Sequence, residues 1–236
     1  MILALPTGVN LKTWNISKNS TCPICKVKPQ TQHHILNNCQ TAVQQDRLTW
    51  RHDSVLQTIA YHLQILASKG YEIYVDMAGF MGPERVFESQ RPDIVICFKN
   101  VVYSIELTIC FETNFEKSRE YKKARYENLK SNLIDKRKEL KLFYVEFSSL
   151  GFCSPKIIDF TNWIRTLGVD VPRMVTICSE VCIRTSYYIF NRSNKEWTNR
   201  SHLSITKCDL SYYPSVLQYF SLLLENTVEY SLQFYL

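Results

Sequence analysis

The chain has 236 residues, 45% of them hydrophobic, which suffices for one good core plus a small extra module and excludes a disordered or low-complexity protein. A net charge of +6 permits nucleic-acid binding. No apolar run approaches the roughly 18 residues of a membrane span, and the N-terminus lacks the basic start and long apolar stretch of a secretory leader, so neither membrane insertion nor secretion is expected.

In chain order, residues 1–21 read as a linker remnant. Cys22, Cys25, His34 and Cys39 then give the pattern Cys-x2-Cys-x8-His-x4-Cys, with His33 as a competing ligand. Pairs this compact close around one tetrahedral zinc. Four protein ligands leave no open position, so a structural zinc knuckle over residues 22–45 is expected, one that folds its segment and touches nucleic acid. The other six of the nine cysteines lie mostly in apolar segments, as fits a reducing compartment.

Next, Val55, Leu56, Ile59, Leu63 and Leu66 mark one face of a helix that ends at Gly70. Asp53 reads as its N-cap, with Arg51 and His52 just ahead of it. Residues 93–98 (DIVICF) and 101–109 (VVYSIELTI) are rich in β-branched and aromatic side chains and flank Lys99-Asn100, the signature of a hairpin. A two-residue turn sets Phe98 against Val101, and the same register sets Asp93 against Glu106. Directly paired residues have Cβ atoms only about 5 Å apart, so the two carboxylates are forced together unless a cation separates them. Oxygen ligands of this kind suit a hard cation such as magnesium or manganese alongside a substrate phosphate.

A helix over about 115–141 follows, with Phe115, Tyr126, Leu129, Leu133 and Leu140 at helical spacing. Lys122 falls in that stripe and points toward the sheet, where its ammonium can meet the carboxylate pair or, from the stripe's edge, snorkel to water; Lys117 and Lys123 are rotated off it. Residues 117–141 hold ten Lys/Arg against four Asp/Glu, which reads either as a solvated face or as a track along a nucleic-acid backbone, Lys123 and Arg125 included.

Arg91-Pro92-Asp93, the strand ending in Glu106-Leu107-Thr108, and the run KKARY at 122–126 together resemble the restriction-like endonuclease domain of site-specific non-LTR retrotransposons, a variant of the PD-(D/E)xK nucleases. The common pattern places its lysine two residues after the second acid, where this chain has Thr108. The retrotransposon variant takes it from the next helix, four residues before a tyrosine, as Lys122 stands to Tyr126. Glu106 replaces the aspartate more usual there. The resemblance extends from about residue 5 to 197: His34-Ile35-Leu36 followed by Cys39 looks like the knuckle preceding that endonuclease and favours His34 over His33, the segment 145–152 (VEFSSLGF) looks like the strand and glycine turn after the lysine helix, and the segment 188–197 resembles the close of the domain. It also matches Arg51-His52 to a basic pair, implying a phosphate or active-site contact.

The resemblance implies an α/β restriction-endonuclease-like domain over 46–198 with Asp93, Glu106, Lys122 and His52 as catalytic residues. Asp93 and Glu106 would hold magnesium or manganese, and Arg51, Arg91, Lys123 and Arg125 would contact DNA. It implies nicking of DNA in the nucleus to prime reverse transcription, with the element's RNA as a further partner. No polymerase signature Tyr/Phe-x-Asp-Asp occurs in the chain. Two rival expectations are a non-catalytic nucleic-acid-binding relic and an independent repair or restriction nuclease. Residues 199–236 match nothing and read as an extension.

Overall fold

A computed structural model describes residues 5–77, 91–135 and 139–197, with side chains for all but 127–135. The expected extension at 199–236 lies outside the described residues. The elements are α1 (Gly8–Thr13), a π-turn at His34–Asn38, α2 (Gln40–Gln44), α3 (Arg47–Leu63), β1 (Glu72–Val75), β2 (Ile94–Phe98), β3 (Val101–Cys110), α4 (Phe115–Asp135), β4 (Glu139–Ser148), α5 (Ile158–Thr166) and α6 (Val171–Asn191). The result is a mixed α/β protein.

The four strands lie in the order β1-β2-β3-β4; the first two pairings are antiparallel, and β4 runs parallel to β3. A parallel pair needs a crossover, which α4 supplies. The β2–β3 hairpin has the expected register, Phe98 against Val101 and Ile94 against Ile105. Lys99 takes the left-handed conformation (φ 52°) that lets so short a turn close.

Alternation along β2, β3 and β4 divides the side chains between two covered faces. One face, with Ile94, Ile96, Ile105, Leu107, Val145 and Phe147, packs against α3, α5 and α6 in the main core. There Val55, Leu56, Ile59, Leu63 and Leu66 are all fully buried, as their spacing predicts. The other face joins Val95 and Val102 to Tyr126 of α4 in a small apolar cluster, beside which Glu106 and Glu146 are buried. Gly151 is required in the turn after β4: its φ is 88°, and a Cβ there would lie 2.6 Å from Ile183 Cγ1.

Two boundaries differ from expectation. α3 starts at Arg47, so Asp53 is inside the helix and does not cap it. Arg51 and His52 accordingly sit in its second turn, not at its N-terminus. The helix expected to run to 141 has given way to β4 by Glu139, and Leu140 belongs to that strand, where it packs beside Val95 and Val102. The run Leu140-Lys141-Leu142 continues the helical spacing, yet it also alternates as a strand does, and the hydrogen-bonded edge of β3 decides in favour of the strand.

Candidate active site and metal centre

Asp93 is the residue before β2, tied down where Asp76 N–H donates to its carbonyl at 2.9 Å. Its carboxylate turns onto β3, and Oδ2 accepts from Leu107 N–H at 2.7 Å. This brings it beside Glu106, which faces α4 and is 1% exposed. Lys122 comes down from α4 between them. Its Nζ lies 2.9 Å from Asp93 Oδ2, 2.9 Å from Glu106 Oε2 and 2.6 Å from the Leu107 carbonyl oxygen. His52 enters from α3, with Nε2 3.5 Å from Asp93 Oδ1 and Nδ1 3.2 Å from Asp53 Oδ1. All four residues expected to be catalytic thus meet in one cluster, and Asp53 orients the histidine.

The electrostatics separate the two acids. Burial works against the Asp93 anion, but the hydrogen bond from His52 and the charge of Lys122 outweigh it and bring its pKa down to about 2. Burial and the neighbouring Asp93 charge push Glu106 up to about 7, against the pull of Lys122. Burial disfavours a charged His52, yet its bonds to Asp53 and Asp93 raise it to about 9. Burial likewise opposes the Lys122 charge, and the two carboxylates override it and raise its pKa. Glu106 Oε1 is buried with no hydrogen-bond partner among the described residues. A buried carboxylate oxygen left over in this way, next to a second carboxylate, fits a hard divalent cation.

Of the expected DNA contacts, Arg91 is 73% exposed and paired with Asp76 at 2.5 Å, Lys123 pairs with Glu120 at 2.7 Å, and exposed Arg125 lies over the Tyr126 ring at 5.4 Å. Arg51 is different. It is buried inside the protein, donating to Ser186 Oγ at 3.0 Å and Asn37 Oδ1 at 3.3 Å, so its role is to join elements and it presents no surface to DNA.

The ligand atoms of Cys22, Cys25, His34 and Cys39 all lie within 4.8 Å of one another, a cluster that can hold a structural zinc. The turn that carries the first two cysteines closes where Cys22 N–H donates to the Lys28 carbonyl at 2.7 Å and Lys26 N–H to the Cys22 carbonyl at 2.9 Å, with Lys26 at φ 60°. The π-turn brings His34 inward, its Nε2 3.4 Å from Cys25 Sγ. His33 points elsewhere, edge-on to Phe111 at 4.9 Å, which resolves the competition between the two histidines. Burial opposes the Cys25 thiolate, but backbone N–H groups of Lys28 and Val27 and the bond with His34 bring it down to about 6; burial pushes Cys39 up to about 11. A bound cation would deprotonate both.

Asn37, between two of these ligands, reaches across to the rest of the protein: its Nδ2 donates to Ser149 Oγ at 3.1 Å while its Oδ1 accepts from Arg51. At the end of the described residues, Trp197 packs on Trp50 and Tyr188, under the Arg47 guanidinium at 4.7 Å. Sequence reasoning missed Glu146 of β4, which is 1% exposed and takes a two-pronged ion pair from Arg119 of α4. A lone acid between Val145 and Phe147 was the available signal.

Comparison with protein-family models gives no match, and comparison with curated proteins gives none. Among the described residues no helix is long and apolar enough to cross a membrane.

Proposed function

We propose that the protein is a metal-dependent DNA endonuclease with a restriction-endonuclease-like core and an N-terminal zinc knuckle, descended from the C-terminal part of a non-LTR retrotransposon polyprotein. The observation that carries this reading is the Lys122 ammonium bonded to both Asp93 and Glu106, three residues from three separate elements converging on one point. Asp93 and Glu106 would hold magnesium or manganese, which supplies a hard Lewis acid for phosphodiester hydrolysis. Lys122 would offset charge growing on the phosphate and, on giving up one of its three hydrogen bonds, position an attacking water. His52, held by Asp53, keeps Asp93 oriented. The knuckle and the exposed Arg91, Lys123 and Arg125 would hold the DNA, and the element's RNA would follow as template, in the nucleus.

One observation favours the non-catalytic relic as a second reading. Lys122 already bonds to both carboxylates and His52 brings a second positive charge to Asp93, so the cluster is a self-contained buried ion network as it stands. Nicking of supercoiled plasmid with magnesium or manganese separates the two. The nuclease predicts conversion to open circles by the wild type and none by Asp93→Ala. A folded, zinc-loaded protein that binds the plasmid without nicking it would establish the relic.

A further inference from the structure

α4 carries the lysine of the proposed site, and its described half has little apolar surface with which to grip the sheet. Among its described side chains Tyr126 is the one that belongs to an apolar cluster. Two charged contacts face the sheet instead. Lys122 meets Asp93 and Glu106, and Arg119, one turn earlier on the same side of the helix, meets Glu146. Arg119 Nε donates to Glu146 Oε1 at 2.6 Å, and a second guanidinium nitrogen donates to Oε2. The fork is bidentate and shielded, with Arg119 10% and Glu146 1% exposed. Planar two-point pairing of this kind fixes orientation as well as distance, whereas a lysine ammonium is a point charge on a flexible stem.

The register of the sheet shows where that fork acts. β4 runs parallel to β3 with Tyr144 beside Glu106 and Glu146 beside Thr108. Glu146 therefore stands one strand over and one side-chain pair further along from Glu106, on the face that α4 covers. Two anchors on adjacent strands, reached from one helix one turn apart, set both the position of α4 along its axis and its rotation. Without the fork, Lys122 and Tyr126 would hold one end of the described helix and only the long Ser118–Cys110 contact would reach β3 beside Arg119.

We infer that Arg119 and Glu146 are positioning residues that seat α4 so that the Lys122 ammonium falls on the Asp93–Glu106 pair. Neither touches the acids themselves, and Glu146 is spent on Arg119. The functional weight of this seat rests on the nuclease reading, but the seat itself does not, and it is measured without DNA, magnesium or manganese.

The test is a proton–nitrogen NMR spectrum of the lysine ammonium groups, in which a shielded, hydrogen-bonded ammonium gives a cross-peak that freely solvated ones lose to exchange with water. The wild type is expected to show one such peak that Lys122→Met removes. Arg119→Met and Glu146→Gln should each lose the same peak while still unfolding cooperatively and retaining zinc, and Arg119→Lys, which keeps the charge but not the two-pronged geometry, should not bring it back. Glu146→Gln is nearly isosteric and decides the matter alone should Arg119→Met fail to fold. Persistence of the Lys122 peak in folded Glu146→Gln, or its absence from the wild type, overturns the inference. A wild type that shows the peak, loses it in Glu146→Gln and nicks no DNA would refute the nuclease and uphold the seat.

Discussion

Lys122 Nζ and Glu106 Oε2 lie 2.9 Å apart at the meeting of α4 and β3, with the glutamate 1% exposed and the lysine side chain 18% exposed. Neither charge is tolerable there without the other. Removing one partner of a buried pair costs more than the pair contributes, because the remaining charge stays behind without solvent.

Lys122→Met should therefore destabilise the protein by about 3 kcal/mol, lowering its melting temperature by roughly 6–12 °C, and the two orphaned carboxylates should then draw in a divalent cation. Millimolar magnesium or manganese is expected to recover more stability in this variant than in the wild type. Calorimetry with and without the metal checks it, and equal metal responses in both proteins would remove the carboxylate pair as a cation site. Nicking should fall by about 100-fold or more in the same variant.

Asn37→Ala should leave zinc content unchanged yet cost about 1–3 kcal/mol, because the buried Arg51 guanidinium loses an acceptor. Denaturant unfolding and metal analysis on one preparation test both halves. A variant as stable as the wild type would mean that the contact contributes nothing.

Cys39→Ser is expected to release the zinc, since three remaining ligands cannot close a tetrahedral structural site. Metal analysis gives the first reading and limited proteolysis the second, with new cleavage expected within residues 22–45. Full zinc retention would refute the assignment of the four ligands.

Gly151→Ala should cost about 2–3 kcal/mol, because the position has φ 88° and the added methyl would meet Ile183 Cγ1 at 2.6 Å. The midpoint of chemical unfolding reports it. A neutral substitution would show that the turn after β4 can shift away from α6.

The hairpin, the zinc ligands and Lys122 were legible because each depends on short-range rules. Two turn residues fix a register, cysteine spacing fixes a ligand set, and seven residues from Phe115 return Lys122 to the same helix face. What escaped was long-range or ambiguous between periods. Asp53 has a capping side chain, but Arg47 and Arg51 are paid for by partners 135 or more residues away, on α6 and the turn after it, and so the helix extends back through them. Leu140 satisfies both helical and strand spacing, and its pairing opposite Val102 decides it. Glu146 and Arg119 are 27 residues apart, with nothing local to announce their pairing.

The contacts of Asn37 also bear on where the molecule can be divided. A cut at residue 45 follows the change of motif, yet it would strip Arg51 and Ser149 of the side chain that joins them. A fragment beginning at residue 46 would carry a half-satisfied cation in its interior, one residue from His52. The metal module and the αβ core are thus better treated as one inheritable unit, in which an insertion near residue 45 is tolerable only if it leaves the reach from Asn37 to Arg51 intact.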